Sequence, residues 1–221
     1  MMNTECKRLT LFAGHYGSGK TNIAVNYAIK LAREGKQVCI ADLDIVNPYF
    51  RTKDSEEELT AMGIKLVSPR YANTNVDLPA LPAESYRLVQ DKSTYGIMDI
   101  GGDDRGAYAL GRYSDAIKAE NNYRMAFVVN CYRPLTSTVE DTVEIMREIE
   151  AACGLKFNCI VNNSNLGEDT TEEIFLNSLS FVERLSAATG LEVWMHTVKD
   201  SLSVAVDGPS VMPLALQKKI F

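Results

Sequence analysis

The sequence predicts an α/β fold in which helices flank a mostly parallel sheet. Short runs of apolar residues recur along the chain, and most are continuous rather than alternating, as expected for strands buried on both faces. Segments with apolar residues at helical spacing separate these runs. A glycine-rich turn also joins the first apolar run to the first helical segment. This alternation of strands and helices is typical of a parallel sheet.

Seven apolar runs are predicted to be strands, and in chain order they cover residues 9–13, 38–41, 64–67, 95–98, 125–129, 157–161 and 191–195. Three capping boxes, Ser55 with Glu58, Ser137 with Glu140 and Thr170 with Glu173, predict helix starts. The proline-containing stretch 68–82 is predicted to be a long surface loop. Residues 211–221 are predicted to form a short amphipathic helix that docks onto its own domain.

Composition limits the classes of protein that the chain can represent. With 221 residues and 46% hydrophobic content, residues 1–221 are predicted to form a single nucleotide-binding domain. The net charge of −6 argues against a broad nucleic-acid-binding surface. The sequence contains no apolar run of membrane-spanning length and no signal peptide, so a cytoplasmic protein is expected. The five cysteines form no C-x-x-C pair and are expected to be reduced thiols.

The glycine-rich turn reads GHYGSGKT and matches the phosphate-binding pattern G-x-x-x-x-G-K-[ST]. Glycines let backbone N–H groups approach a triphosphate closely, and the helix that follows favours negative charge at its N-terminus. Lys20 is predicted to reach the β- and γ-phosphates, and the Thr21 hydroxyl is predicted to ligate Mg²⁺. The predicted nucleotide-binding loop therefore consists of Gly14, His15, Tyr16, Gly17, Ser18, Gly19, Lys20 and Thr21.

Acidic residues follow two of the predicted strands. Asp42 and Asp44 end the second strand, where they suit Mg²⁺ coordination or the orientation of an attacking water, an Asx turn being the alternative. Asp99 ends the fourth strand and is predicted to contact Mg²⁺ directly or through water. Gly101 and Gly102 are predicted to form a switch that approaches the γ-phosphate and is released when this phosphate departs.

Two later segments are predicted to lie beside the base of the nucleotide. Asn163 follows the sixth apolar run, and an asparagine amide can recognise a purine edge. Asp200 follows the last run and is predicted to cover the base with its carboxylate. The guanine-reading pattern N-K-x-D is absent from the asparagine-rich stretch, which favours ATP over GTP.

With these motifs in order, the chain resembles the MinD/ParA-like deviant Walker A ATPases, the CobQ/CobB/MinD/ParA nucleotide-binding domain family. GHYGSGKT is similar to the family's GKGGVGKT, while DLDIVNPYF and DIGGDD resemble its two switches. VNNS and TVKDS resemble its adenine-side segments. The resemblance implies a P-loop NTPase fold with seven or eight mostly parallel strands, ATP-dependent dimerisation, and Asp44 as a catalytic carboxylate beside Lys20.

One position differs from the family pattern. The family has a lysine directly after the first glycine of the loop, and that lysine reaches the partner's phosphates in the dimer, whereas this chain has His15. A neutral imidazole does not supply the same charge. Three arginines are candidates to supply a cation, namely Arg133 first, then Arg105 and Arg112.

The expected function is a Mg²⁺-dependent ATP-binding protein and slow ATPase that acts as a nucleotide switch. We expect a nucleotide-dependent homodimer that also binds a further, unidentified protein partner. An ATP-dependent ligase or kinase for a small molecule, similar to dethiobiotin or cobyrinate synthetases, is the first alternative, with its acceptor near Asp103 and Asp104. A module that binds ATP without hydrolysing it is the second. Metal delivery is disfavoured because paired cysteines are absent.

Overall fold

One sheet organises the computed structural model, which describes residues 6–43, 55–67, 83–102 and 104–216. Its strands are β1 (Leu9–Ala13), β2 (Val38–Leu43), β3 (Lys65–Val67), β4 (Tyr95–Ile100), β5 (Tyr123–Val129), β6 (Cys159–Asn162), β7 (Glu192–Lys199) and β8 (Ser210–Leu214). Their spatial order is β3-β2-β4-β1-β5-β6-β7-β8. All neighbouring pairs among these strands are parallel, which confirms the predicted fold class.

Helices cover both faces of this sheet. They are α1 (Lys20–Arg33), α2 (Glu56–Ala61), α3 (Ala83–Gln90), α4 (Asp104–Gly111), α5 (Ser114–Glu120), α6 (Val139–Cys153) and α7 (Glu172–Thr189). The central strand β1 is buried along its whole length. Leu9 and Leu11 belong to the apolar core that includes Leu110 of α4 and Leu185 of α7, whereas Phe12 packs in the core formed with α1. The continuous apolar runs are thus explained by cores on both sides.

The C-terminal helix prediction is wrong in its first part. Ser210–Leu214 forms β8, which pairs with β7, while residues 217–221 lie outside the described part of the chain. Pro213 lies on this strand, and its burial alternates, as expected for a strand at a sheet edge. The predicted loop at 68–82 also lies outside the described residues.

Two helices begin one residue later than their capping boxes predict. Thr138 caps α6 by accepting from the Asp141 N–H, and Thr171 caps α7 by accepting from the Ile174 N–H. The predicted caps serve the preceding turns instead. Thr170 Oγ1 donates to the Gly167 carbonyl at 2.7 Å, and Ser137 donates to a carbonyl of the preceding turn at 2.9 Å.

The parallel strands have a functional consequence. Their carboxyl ends meet at one edge of the sheet, where the segments that follow β1, β4, β5, β6 and β7 come together.

Across the described residues, no helix has both the length and the apolar character required to cross a membrane.

Candidate functional site

The predicted phosphate loop joins β1 to α1 at the centre of this edge. Gly19 precedes α1 and has a φ of 88°, a left-handed conformation that favours glycine. Lys20 is the first residue of α1 and is buried, while Thr21 is half-buried on the same turn. The observed order of strand, loop and helix is the one that the sequence pattern requires.

Two donors of this loop converge on one oxygen atom. Lys20 Nζ donates to the His15 carbonyl at 3.1 Å, and the Ser18 N–H donates to the same oxygen at 3.2 Å. The His15 ring is directed at the loop itself, because its Nδ1 lies 3.0 Å from the Tyr16 carbonyl oxygen. A charged amine and a backbone N–H therefore share one acceptor inside the loop, and both are donors of the types that bind phosphate oxygens.

Asn163 braces the loop from the side of β6. Its Nδ2 donates to the Ser18 carbonyl at 2.6 Å, and its Oδ1 accepts from Thr197 Oγ1 at 2.5 Å. The side chain is buried, and its backbone N–H donates to the Val129 carbonyl at 2.8 Å. A Cβ atom on Gly19 would lie 2.2 Å from this Nδ2, so the loop requires glycine here for space as well as for φ.

The contact between Asn163 and the loop adds a role that the sequence did not reveal. Sequence reasoning assigns this amide to the base, and that assignment remains a prediction. Thr197, which orients the amide, was not singled out, although a threonine inside the apolar strand β7 is a polar exception that needs a hydrogen-bond partner.

Gly102, the second glycine after β4, lies directly against the phosphate loop. A Cβ atom on Gly102 would lie 2.6 Å from Tyr16 N and 3.0 Å from Lys20 Nζ. Gly101 in turn packs against the first turn of α4. A Cβ atom on Gly106 of that helix would lie 2.5 Å from the Cα atom of Gly101. A movement of Gly102 would therefore change the surroundings of the phosphate loop, while the switch role of Gly101 and Gly102 remains a prediction.

Two carboxylates lie side by side at the ends of adjacent strands. Asp42 on β2 is in register with Asp99 on β4, and both side chains are buried. Asp44, the predicted catalytic carboxylate, lies outside the described residues, as does Asp103. Oxygen ligands of this kind suit Mg²⁺, together with the Thr21 hydroxyl on the neighbouring helix. Among the described residues, no group of three or more His, Cys, Asp or Glu side chains could hold a metal ion alone, so phosphate oxygens and water would have to complete the coordination.

Of the three candidate arginines, Arg133 reaches the phosphate loop. Its Nε donates to the Gly17 carbonyl at 3.0 Å. Arg112 is exposed just beyond α4, and the side chain of Arg105 is outside the described part of the structure. Arg133 also lines a pocket of about 220 Å³ together with Tyr132, Asn165, Leu166 and Gly167.

Asp200 follows β7 directly and is exposed. Its backbone N–H donates to the Leu214 carbonyl of β8 at 3.0 Å, which fixes the turn after β7. Because β6 and β7 are neighbours in the sheet, Asn163 and Asp200 follow adjacent strands. The predicted contact of Asp200 with the base remains a prediction.

The fold and the loop define a P-loop nucleotide-binding protein. Residues 9–170 match the CobQ/CobB/MinD/ParA nucleotide binding domain family, which covers most of the chain and includes the loop, both carboxylates and Asn163. The chain therefore belongs to this family of P-loop NTPases. No curated protein matches the chain.

Solved structures with a similar fold include FtsY proteins and a protein of the signal recognition particle. The cell division protein FtsY from Thermotoga maritima has a TM-score of 0.58 at 15% identity, with coverage of 89% of this chain and 63% of that one. The chloroplast FtsY from Physcomitrella patens has a TM-score of 0.57 at 15% identity, covering 89% and 60%.

The signal recognition particle 54 kDa protein from Aeropyrum pernix K1, solved in complex with GDP, has a TM-score of 0.55 at 17% identity. That alignment covers 86% of this chain and 41% of the other. This chain thus matches less than two thirds of the length of each of these proteins, and at this identity the likeness concerns the fold alone.

Proposed function

We propose that the chain binds ATP with Mg²⁺, hydrolyses it slowly and acts as a nucleotide switch. The convergence of Lys20 Nζ and the Ser18 N–H on one oxygen atom carries this proposal. A phosphate oxygen that took the place of the His15 carbonyl would meet a full positive charge and a backbone dipole at hydrogen-bond distance. It would also face the N-terminus of α1, which stabilises negative charge.

Mg²⁺ would be held by the Thr21 hydroxyl, by phosphate oxygens and by Asp44 and Asp99, directly or through water. When bound, the ion neutralises charge on the phosphates and on the leaving group. The buried position of Asp42 beside Asp99 supports a role for Asp42 in the same site. Asp44 is proposed to orient the attacking water.

The switch would consist of Gly101 and Gly102. Gly102 lies against Tyr16 and Lys20, so the presence of a γ-phosphate beside Lys20 would alter the contacts of this segment. Loss of the γ-phosphate on hydrolysis would release it, because ordered switch segments depend on contacts with this group.

The preference for ATP over GTP rests on the base-side residues. The chain lacks the guanine-reading N-K-x-D pattern after β6. Titration calorimetry with ATP, GTP and Mg²⁺ tests the preference directly. Tighter binding of GTP than of ATP would overturn it.

Replacement of Lys20 tests the phosphate site. Lys20→Ala removes a charge-assisted contact worth about 1.5–3 kcal/mol, so the Kd for ATP is expected to rise about tenfold or more. Lys30→Ala is the matched control, because Lys30 is exposed at the far end of the same helix. Equal ATP affinity in the Lys20→Ala and Lys30→Ala proteins would refute the site.

Hydrolysis requires a separate experiment. The isolated protein is expected to turn over ATP more slowly than about 10⁻² s⁻¹, as unassisted switch NTPases do. Asp44→Asn should reduce this rate while ATP binding is retained, and both are measured by phosphate release and calorimetry. Rapid turnover without a partner would contradict a switch, and unhydrolysed ATP after long incubation would indicate a binding module instead.

The partner of the switch is proposed to include a second copy of the chain. Exposed apolar side chains occur in the loop and in the segments that follow β5 and β6, with Tyr16 56%, Leu135 57% and Leu166 46% exposed. Sedimentation with a non-hydrolysable ATP analogue and Mg²⁺ should show a dimer that is lost in Leu166→Glu. A monomer under all nucleotide conditions would leave only a different protein as partner.

A further inference from the structure

The phosphate loop is held by side chains through three of its carbonyl groups. Lys20 contacts the His15 carbonyl, Asn163 the Ser18 carbonyl and Arg133 the Gly17 carbonyl, at 3.1, 2.6 and 3.0 Å respectively. Lys20 and Asn163 belong to motifs that sequence patterns recognise. The contact of Arg133 comes from a turn 116 residues away in the chain and is part of no phosphate-binding pattern.

We propose that Arg133 is a positioning residue, which orients the Gly17–Ser18 peptide and adds positive charge beside the phosphates. The inference rests on the proposed ATP binding. In a trans peptide, the C=O and N–H groups point in opposite directions. The bond from Arg133 to the Gly17 carbonyl therefore fixes the Ser18 N–H on the opposite side, where it meets the oxygen that Lys20 also contacts.

The guanidinium group also lies beside the backbone of Gly17, in addition to its hydrogen bond to the Gly17 carbonyl. A Cβ atom on Gly17 would lie 3.4 Å from Nε and 3.5 Å from Cζ of Arg133. The positive charge of Arg133 therefore lies next to the phosphate loop. Since a guanidinium has five N–H donors, the single bond from Nε to Gly17 uses one of them.

Hydrogen bonds fix the conformation of the turn that carries Arg133. Asn130, which is buried, accepts from the Tyr132 N–H at 3.1 Å through its side chain and donates to the Asn165 carbonyl at 3.0 Å. Thr136 Oγ1 donates to the Asn130 carbonyl at 2.6 Å. Arg133 itself precedes a proline and has extended backbone angles, as that position requires. Because this turn is already ordered, the contact of Arg133 with the loop costs little conformational entropy.

A charged positioning residue and a purely structural one predict different results. If Arg133 acts on the phosphates, its replacement should weaken binding in proportion to ligand charge. Because its contact is exposed to solvent, Arg133→Ala is expected to raise the Kd for ATP about threefold to tenfold, and the Kd for ADP less. Adenosine binding should not change. Arg133→Lys should retain most of the ATP affinity, since the charge and one donor remain.

Calorimetry with ATP, ADP and adenosine, each with Mg²⁺, measures these effects in the whole chain. Arg147→Ala, an exposed arginine on α6, is the control, and Arg133→Gln replaces Arg133→Ala if that variant does not fold. Equal loss for all three ligands, or no loss for ATP, overturns the inference while ATP binding by the wild type stands. Absence of ATP binding by the wild-type protein overturns both proposals.

Discussion

The side-chain amide of Asn163 links the sixth strand to the phosphate loop through a 2.6 Å hydrogen bond to the Ser18 carbonyl. Thr197 on β7 fixes the other end of the same amide. The loop is therefore not shaped by its glycines alone. Its conformation also depends on a buried polar pair contributed by two strands that lie far along the chain, and such pairs are costly to leave half-satisfied.

Replacement of Asn163 should therefore destabilise the protein as well as the loop. Asn163→Ala leaves the Ser18 carbonyl and the Thr197 hydroxyl without their amide partner, which is expected to cost about 1–3 kcal/mol of unfolding free energy. Urea unfolding measures this loss. Asn177→Ala is the control, because Asn177 is exposed on α7 and should change stability by less than about 0.5 kcal/mol. A loss of the same small size in Asn163→Ala would contradict the bracing role.

Gly102 should tolerate no side chain. In Gly102→Ala, the new methyl group would lie 2.6 Å from Tyr16 N and 3.0 Å from Lys20 Nζ, so either the loop or the segment after β4 must move. We expect ATP affinity to fall about tenfold or more, as in the loss of one charge-assisted contact. Calorimetry provides the measurement.

A matched substitution separates this local effect from a general loss of helix or loop structure. Gly111 lies at the end of α4, where an added Cβ would meet its nearest atoms at the ordinary distance of 3.5 Å. Gly111→Ala should therefore bind ATP like the wild type. If Gly102→Ala and Gly111→Ala bound ATP equally well, the close approach of Gly102 to the loop would not matter for ATP binding.

The sequence predicted most of the fold because the burial of the strands is recorded in their composition. Strands such as β1 and β2 are buried throughout, so their apolar runs are unmistakable. β8 was missed because it is an edge strand of alternating burial, contains Pro213, and follows β7 without a described helix between them. A parallel connection of that kind departs from the usual strand–helix–strand unit.

The site was predictable to the extent that it is local in the chain. The loop from Gly14 to Thr21 is contiguous and carries its own pattern. The contacts that hold it are different, because Asn163 and Arg133 lie 145 and 116 residues from their partners Ser18 and Gly17. Those contacts depend on the strand order β1-β5-β6, which no single segment specifies.

Arg8 is predicted to be a major contributor to stability at the opposite end of the sheet. This buried guanidinium donates through Nη1 to the carbonyls of Leu88, Asp91 and Thr94 at 2.9–3.0 Å, and it pairs with Glu120. Arg8→Met keeps the apolar stem but removes every donor. Three carbonyls and the Glu120 carboxylate lose this donor, although Glu120 keeps its ion pair with Lys92, so we expect a loss of about 3 kcal/mol, the lower end of the range for a broken buried pair.

Urea unfolding of Arg8→Met tests this estimate, with the exposed Arg147→Ala as the reference variant. Nucleotide affinity under native conditions should remain close to that of the wild type, because Arg8 lies before β1 and the phosphate loop follows it. A destabilisation below about 1 kcal/mol would show that the network around Arg8 contributes no more than an exposed ion pair.

The buried His196 predicts how stability changes with pH. Burial lowers the pKa of His196, whose Nδ1 accepts from Asn162 Nδ2 at 3.2 Å and whose ring packs edge-on against Phe175. In the unfolded chain the pKa is about 6.5. Above that pH the ring is neutral in both states and stability is unaffected. As the pH falls below about 6.5 the unfolded state binds the proton first, so stability declines until the folded pKa is passed.

The slope of this decline should approach at most about 1.4 kcal/mol per pH unit, the limit for one proton. His196→Gln removes the titrating group and should flatten the dependence between about pH 6.5 and 5.5, as measured by urea unfolding at each pH. Arg147→Ala keeps the buried ring and should retain the wild-type slope. A wild-type slope in His196→Gln would assign the acid sensitivity to other groups. Asp91 is separable from this effect, because hydrogen bonds from Ser93 and Thr94 lower its pKa to about 2, so its stabilising contribution is present above about pH 4 and is lost only below that pH.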